Sequence, residues 1–150
     1  MKKRFAAILL SLCMVLTFIP SAAFAADGDT IYVGAVELKG TAENPAYALT
    51  DDRCSVTTEG AGESSYNIRW DGSTLTLNNA KVTNGASKVN NLGSWAAICC
   101  KTDFEIELKG SSTVIGLDLE NGSGDESFGI YSKGDVTIVG SGTLNVNGGN

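Results

Sequence analysis

A nine-residue pattern occurs twice in this chain, and it constrains the fold more than any other feature. The pattern is Ile-x-x-Lys-x-Asp-(apolar)-x-Ile, and it occupies residues 98–106 and again residues 130–138. An earlier segment, 75–82, shares the apolar pair at slightly less than one such interval before the first copy. Short alternating strands that recur at about 30 residues are typical of stacked β architectures, because each unit buries its apolar face only against the next one.

Period-two alternation of apolar and polar residues also predicts strands outside the pattern. Clusters of glycine, asparagine and serine separate these segments and supply the positive φ angles that tight corners need. The segments expected as strands are 31–33, 74–77, 98–100, 104–108, 113–115, 130–132, 136–138 and 143–146. We therefore predict an all-β fold, a parallel β-helix of about three coils with an N-terminal β cap. An antiparallel β-sandwich is the alternative, but the equal phasing of the repeats favours the helix.

The same alternation predicts which side chains point into the core. Apolar residues at equivalent positions should stack inward, namely Ile98, Phe104, Ile106, Ile130, Val136 and Ile138. Polar residues between them should face water, namely Glu105, Thr137, Asn145 and Asn147. At the corners, Asp103, Asp135 and the Asn78–Asn79 pair are expected to hold backbone groups through their side chains.

Three cysteines lie beyond residue 25, at positions 54, 99 and 100, so at least one is unpaired or bonds to another chain. Adjacent residues of a strand point to opposite faces, which predicts a buried Cys100 and an outward Cys99. The chain contains no histidine, and this excludes a cysteine–histidine metal site.

Residues 1–25 have the features of a secretory signal peptide: a basic start at 2–4, an uncharged apolar stretch at 5–19, and a small-x-small ending at 23–25. Its removal changes the formal net charge from −6 to about −9. Such a surface repels nucleic acid and anionic lipid. The longest apolar run that remains is 95–100, too short to span a bilayer. We predict a secreted or cell-surface protein with no membrane span after cleavage.

The chain divides into three predicted regions: the signal peptide (1–25), an N-terminal cap region (26–72) and the β-helix coils (73–150). The repeat stops directly after a strand and turn, with no polar cap to cover the last strand. Uncapped strand edges invite pairing. This favours a stack that is truncated at its C-terminus, as in a fragment of a longer protein, and the alternative is end-to-end association with another chain.

The tract from about residue 66 to 149 resembles secreted clostridial-type carbohydrate-binding domains. The segments that carry the resemblance are WDGSTLTLNNA (70–80), GIYSKGDVTI (129–138) and GSGTL (140–144). The resemblance implies a right-handed parallel β-helix that binds plant or microbial cell-wall polysaccharide, with calcium among its ligands. It implies no catalytic residue.

Sugar binding needs aromatic faces against the C–H side of the ring and polar groups for the hydroxyls. The candidate carbohydrate-binding residues are Trp95, Tyr131, Lys133 and Asp135. The alternative is structural: Tyr131 then only faces solvent, and the aspartate caps a corner beside a surface lysine.

Calcium prefers several oxygen ligands. The loop 118–126 concentrates four carboxylates, and the candidate metal ligands are Asp118, Glu120, Asp125 and Glu126. Their spacing does not match the helix-flanked calcium loop, so a solvated acidic loop is the alternative.

We predict a non-catalytic polysaccharide-binding module, with a structural or adhesive segment of a larger surface protein as the alternative. Polysaccharide hydrolases need two carboxylates across the scissile bond. Asp103 and Asp135 could form such a pair, but nothing in the sequence indicates that either is tuned for catalysis. We therefore predict that the chain is not an enzyme.

Overall fold

The structure is a computed structural model that describes residues 30–89, 94–119 and 125–149. Within these ranges it contains fourteen strands and no helix, which confirms the all-β prediction. The strands are β1 (Thr30–Val33), β2 (Val36–Lys39), β3 (Ala46–Thr50), β4 (Val56–Thr57), β5 (Ile68–Trp70), β6 (Thr74–Asn78), β7 (Lys81–Val82), β8 (Ser87–Lys88), β9 (Trp95–Cys100), β10 (Phe104–Lys109), β11 (Ser111–Ile115), β12 (Ser127–Ser132), β13 (Val136–Gly140) and β14 (Thr143–Asn147). The predicted signal peptide lies outside the described residues.

Three parallel ladders join the strands of the repeat. β9 pairs with β12, β10 lies between β6 and β13, and β11 lies between β7 and β14. In β9–β12, β10–β13 and β11–β14 the partners keep the interval between the two copies of the sequence pattern, as in Ile98–Ile130 and Phe104–Val136. The spacing of the sequence pattern is thus the spacing of the strand register.

Antiparallel pairs organise the N-terminal half, so two of the three sheets are mixed. β1 pairs with β2 and β9, β3 pairs with β4 and β5, β5 pairs with β6, and β8 pairs with β9. β1 and β5 therefore cover strand edges of β9 and β6 that would otherwise lie open.

One hydrophobic core receives side chains from all three sheets. Ile98, Phe104 and Ile106 are buried in it, as the alternation predicted. The expected inward stacking is incomplete at Val136 and Ile138, which are 39% and 55% exposed, because β13 is the last strand of its sheet.

Trp70 joins the N-terminal half to this core. Its side chain is fully buried, and its ring meets that of Phe104 edge to face with centroids 6.3 Å apart. The last residue of β5 thus packs against the first residue of β10, so the antiparallel strands and the repeat strands share one interior.

Side-chain hydrogen bonds at the corners follow the same repeat. The Asp103 Oδ1 accepts the N–H of Asp135 at 2.8 Å, and the Asn79 Oδ1 accepts the N–H of Ser111 at 3.0 Å. Asn79 itself has a φ of 52°, in the left-handed region that asparagine tolerates. Both bonds connect one repeat to the next, so the corner-capping prediction is confirmed for Asp103 and Asn79.

The three cysteines within the described ranges are unpaired. Cys100 packs in the core and Cys99 lies on the opposite face of the strand, as expected, but Cys99 is nevertheless buried, with only 4% of its surface exposed. Tyr32 and Tyr131 occupy the neighbouring register positions on either side of it and flank the thiol. Burial raises the pKa of Cys99, and the pKa-lowering effect of the nearby Lys101 and Lys133 is smaller.

Asp71 organises the turn that leads into β6. Its Oδ1 accepts the N–H of Thr74 at 2.8 Å and of Ser73 at 3.2 Å, and Arg69 donates to its Oδ2 at 3.0 Å. Gly72, between them, has a φ of 96°. Burial alone would raise the pKa of Asp71, but the two backbone N–H groups and the guanidinium outweigh it and lower that pKa.

Asp71→Ala should lower the free energy of unfolding by about 2–3 kcal/mol, because two backbone donors and a guanidinium lose their acceptor. Because the folded pKa lies below the unfolded value, the stabilisation is complete above the unfolded pKa and is lost as the pH falls through the folded pKa. Urea denaturation of both chains from neutral to acid pH measures the difference. Asp51→Ala is the control, since the exposed Asp51 caps a similar turn at Ser55 without a guanidinium, and its loss should be smaller. A difference that is the same at every pH would contradict this account.

Candidate functional site

Four side chains form a line across β2, β1, β9 and β12. Strand register places Glu37 beside Tyr32, Tyr32 beside Cys99, and Cys99 beside Tyr131. Residues in register point to the same face of a sheet, opposite to the core-facing Cys100. We call these four residues the tyrosine row. Adjacent strands lie about 4.8 Å apart, so the backbones of the two tyrosines are about 10 Å apart.

Neighbouring groups hold both rings of the tyrosine row. The Tyr32 hydroxyl donates to Glu37 Oε1 at 3.1 Å, and the Lys39 ammonium lies 3.2 Å from the same oxygen. The hydrogen bond to Glu37 raises the pKa of Tyr32, and the bonds from Lys39 and then Tyr32 lower the pKa of Glu37. On the other side, the rings of Phe128 and Tyr131 are in contact, with centroids 5.8 Å apart and a tilt of 46°. The row therefore presents aromatic rings beside an ionised carboxylate.

Two lysines lie beside the tyrosine row, on the side where β9 and β12 end. Lys101 and Lys133 follow the paired residues Cys100 and Ser132, and the Lys133 N–H donates to the Cys100 carbonyl at 3.3 Å. Both side chains are exposed, and neither belongs to an ion pair within the described part of the chain. Like charges on neighbouring strands are destabilising. The ammonium pair therefore adds local positive charge beside the tyrosines without adding stability.

A small cavity adjoins the row on the same side as the lysines. Thr30, Tyr32, Lys101 and Thr102 line it, and its volume is about 270 Å³. Tyr32 and Lys101 thus belong to a concave surface with hydroxyl groups at its edge. A ligand on the row could extend a polar substituent into this cavity.

The structure brings together three of the four residues predicted to bind carbohydrate. Tyr131, Lys133 and Asp135 lie at the end of β12 and in the corner that follows it. Trp95 is paired with Ser127, at the opposite end of β12 from Tyr131, which places it about 13 Å away along the strands. Trp95 is therefore not part of the tyrosine row.

Two aromatic residues of the site were not among the sequence candidates. The alternation in 31–33 is enough to turn Tyr32 away from the core, but only the pairing of β1 with β9 places it near Tyr131. Phe128 would share the inward face of Ile130 in an even alternation, yet its ring packs on Tyr131. No local signal in the sequence indicates either neighbour.

The corner aspartates line a second concave surface. Asp103, Asp135 and Glu105, together with Ser73 from the turn before β6 and Thr74 at the start of β6, line a cavity of about 470 Å³. The position of Asp103 is explained by its structural role, because its side chain accepts the N–H of Asp135 at the corner.

A separate cleft lies in the N-terminal half. The rings of Tyr47 and Tyr66 are in contact there, with centroids 5.4 Å apart and a tilt of 53°. Arg69, Glu43 and Glu63 help to line its volume of about 500 Å³. The two rings cover part of each other and the guanidinium is bonded to Asp71, so the cleft offers less free recognition surface than the tyrosine row.

The described residues provide no geometric support for the predicted calcium site. Asp118, Asp125 and Glu126 are exposed, and Glu120 lies outside the described residues. Within the described ranges, no group of three or more histidine, cysteine, aspartate or glutamate side chains is placed to hold a metal ion. Calcium binding stays a prediction from the sequence.

Comparisons with protein-family models, with curated proteins and with solved structures gave no match. The likeness to clostridial-type carbohydrate-binding domains therefore stays an expectation. In the part of the chain that the structure describes, no helix combines the length and apolar character that crossing a membrane requires.

Proposed function

We propose that this chain is a non-catalytic polysaccharide-binding module of a secreted or cell-surface protein, with its repeat strands forming coils of a right-handed parallel β-helix. The coil arrangement is supported by three parallel ladders that keep the interval of the sequence repeat and share one core. The handedness is that of the resembling domains. The antiparallel pairs of the N-terminal half support the sandwich-like alternative to a smaller degree.

The tyrosine row is the observation that carries the proposed function. It places the aromatic rings of Tyr32 and Tyr131 on one face, two strands apart, with Glu37 at one end. Tyrosine combines a flat apolar face with a hydroxyl, and sugars present a C–H face with hydroxyls at the rim. The row offers both kinds of contact along a line, as an extended polysaccharide chain requires.

The lysines indicate an anionic polysaccharide, one whose sugars bear carboxylates. Lys101 and Lys133 form no ion pair among the described residues and lie beside the tyrosines, while the chain as a whole is acidic. An acidic protein repels a polyanion except where cations are locally exposed. Since exposed charges are screened by salt, binding through this pair should weaken as ionic strength rises.

Tyr131→Ala should weaken retention on the bound polymer about tenfold, the equivalent of ~1.4 kcal/mol, because a ring face is removed from the row. The measurement is retention of the purified chain on insoluble cellulose, pectin and peptidoglycan, with calcium and with chelator. Tyr66→Ala is the matched control, since it removes an aromatic ring from the separate cleft. Replacing both lysines, Lys101→Gln with Lys133→Gln, should selectively weaken retention on the anionic polymers.

Each unexpected result points to a different conclusion. If Tyr66→Ala abolishes retention and Tyr131→Ala does not, the cleft is the binding site. If the wild-type chain, folded by circular dichroism, is retained on no polymer, the structural or adhesive alternative replaces the binding function. Release of soluble sugar would contradict the non-catalytic assignment. Loss of retention in chelator would support calcium as part of the complex.

A further inference from the structure

The cleft of the N-terminal half is separate from the tyrosine row, and polysaccharide binding along the row leaves it without a role. Its volume of about 500 Å³ lies within the range of small-molecule sites, about 300–1,000 Å³. Its lining includes two aromatic rings and three charged groups: Tyr47, Tyr66, Arg69, Glu43 and Glu63. Ligand sites commonly combine aromatic walls with a few polar groups that select the ligand. The charges of the cleft therefore indicate which ligand it takes.

Strand pairing and ring packing hold the aromatic part of the cleft. Tyr47 of β3 is paired with Arg69 of β5. Both side chains point away from the core, because the adjacent residues Ala48 and Ile68 are fully buried. The Tyr66 ring contacts the Tyr47 ring with a tilt of 53°. Both tyrosines are half-buried, so part of each ring stays accessible from the cleft.

Two short turns bring one glutamate each to the cleft. Glu43 lies in the turn 41–44 and Glu63 in the turn 62–65, and backbone hydrogen bonds of 2.9 to 3.0 Å close both turns. Both glutamate side chains are exposed. Within the described part of the chain, neither of them belongs to an ion pair. Their charges are therefore available to a ligand.

The arginine of the cleft does not make it a site for anions. Arg69 donates to Asp71 at 3.0 Å, and the two side chains form an ion pair. Burial alone would lower the pKa of Arg69, but the hydrogen bond and the charge of Asp71 outweigh it and raise that pKa. Asp71 thus balances the guanidinium, whereas Glu43 and Glu63 stay unbalanced. The cleft carries a net negative charge beside its aromatic rings.

We propose that this cleft binds an organic ammonium group, held between the two tyrosine rings and the two glutamates. A cation within about 6 Å of a ring centroid is attracted by the negative face of the ring. The carboxylates add attraction of the same sign. An ammonium group is compact, so it needs less ring surface than an extended sugar chain, and the partly covered rings are sufficient. The cleft and the tyrosine row with its lysines thus select ligands of opposite charge.

Titration calorimetry of the purified chain with two ammonium probes tests the site. Choline carries a quaternary ammonium and glucosamine a primary one, and mildly acidic buffer keeps the glucosamine amine charged. Each probe has a neutral counterpart: the carbon analogue of choline, in which a quaternary carbon replaces the nitrogen, and glucose. At least one ammonium probe should bind, and about tenfold more tightly than its counterpart. The probe that binds identifies the ligand as a quaternary ammonium or as an amino sugar.

Substitutions then assign the binding to the cleft. Replacing both glutamates, Glu43→Gln with Glu63→Gln, should weaken binding of the probe about tenfold and leave the fold intact, because both side chains are exposed. The matched control is Asp52→Asn with Glu59→Gln, which removes the same charge from exposed positions outside the lining of the cleft. This control should bind like wild type.

The contribution of the ring is measured at Tyr66. Tyr66→Ala should weaken binding about two- to fivefold, the usual range for a ring that faces a cation at an exposed site. Tyr66→Phe keeps the ring and should stay within about twofold of wild type. A loss of binding that is equal in both variants would assign the contact to the hydroxyl and contradict the cation–ring interaction.

Three results would overturn the proposal: no binding of either ammonium probe, equal binding of a probe and its neutral counterpart, or equal weakening by the glutamate pair and its control pair. The site does not rest on the proposed polysaccharide binding. Tyr131→Ala, which should lose retention on polymers, should bind the ammonium probe like wild type. Failure of one proposal is therefore distinguishable from failure of the other.

Discussion

Replacing Ile106 by alanine should lower the free energy of unfolding by about 2–5 kcal/mol, the usual cost of truncating a buried isoleucine. Ile106 is fully buried between Leu75 of β6 and Ile138 of β13, so truncating its side chain leaves a cavity in the core. Ile138→Ala removes the same atoms at the equivalent position of the next strand. That change should cost less than about 1 kcal/mol, because Ile138 is largely in contact with water.

Urea denaturation of the two variants measures this difference. Equal costs would mean that Ile138 is covered as fully as Ile106, which would contradict its exposed position on β13.

Gly40→Ala should be strongly destabilising, with an expected cost of at least about 3 kcal/mol, the upper end of overpacking effects. A Cβ at this position would overlap the carbonyl oxygen of Trp70 and lie 2.7 Å from the Ala46 nitrogen. Both obstacles are backbone atoms of the paired strands β3 and β5. Neither can move away as a flexible side chain would, so the connection between β2 and β3 must shift.

Gly62→Ala is the matched control. A Cβ at Gly62 would meet nothing within 4 Å, and its φ lies outside the left-handed region. The same methyl group is therefore added in open space, and stability should change by less than about 0.5 kcal/mol. Thermal unfolding of the two variants beside wild type measures the contrast. A Gly40→Ala chain that unfolds at the wild-type temperature would show that the close approach of these segments is not needed for the fold.

The repeat predicted much of the second half of the chain. Alternation located the strands at 104–108, 136–138 and 143–146, and the interval between the two copies of the pattern is the register in which they pair. It also predicted the corner role of Asp103, because an aspartate directly before a strand readily accepts backbone N–H groups. These features depend on neighbouring residues or on the repeat, so they can be predicted from the sequence alone.

The first half was less predictable, since its strands are short and do not follow the repeat. β3 and β5 pair with each other and then with β6, although no shared pattern connects them. The sequence also did not predict that Cys99 is buried. A strand pattern states which face a residue occupies, but what covers that face comes from another part of the chain.

The candidate site divides in the same way. Tyr131, Lys133 and Asp135 are near neighbours in sequence, so their grouping follows from the direction of a single strand and its corner. Tyr32 is distant from Cys99 in the sequence, and only the antiparallel pairing of β1 with β9 brings it into the tyrosine row. Of the four residues of the tyrosine row, only Tyr131 was therefore among the predicted site residues.

By itself, the sequence determined the all-β class, the alternation of faces and the interval of the repeat, because a strand has a period of two and equivalent strands in stacked units have similar sequences. The tertiary structure decided which strand edges are covered. β1 and β5 protect β9 and β6, while β12, β13 and β14 each have one edge without a partner strand among the described residues. The physical reason is that any strand edge offers the same backbone hydrogen bonds. The choice of partner therefore depends on which distant segment buries the adjacent apolar surface, and local sequence does not contain that information.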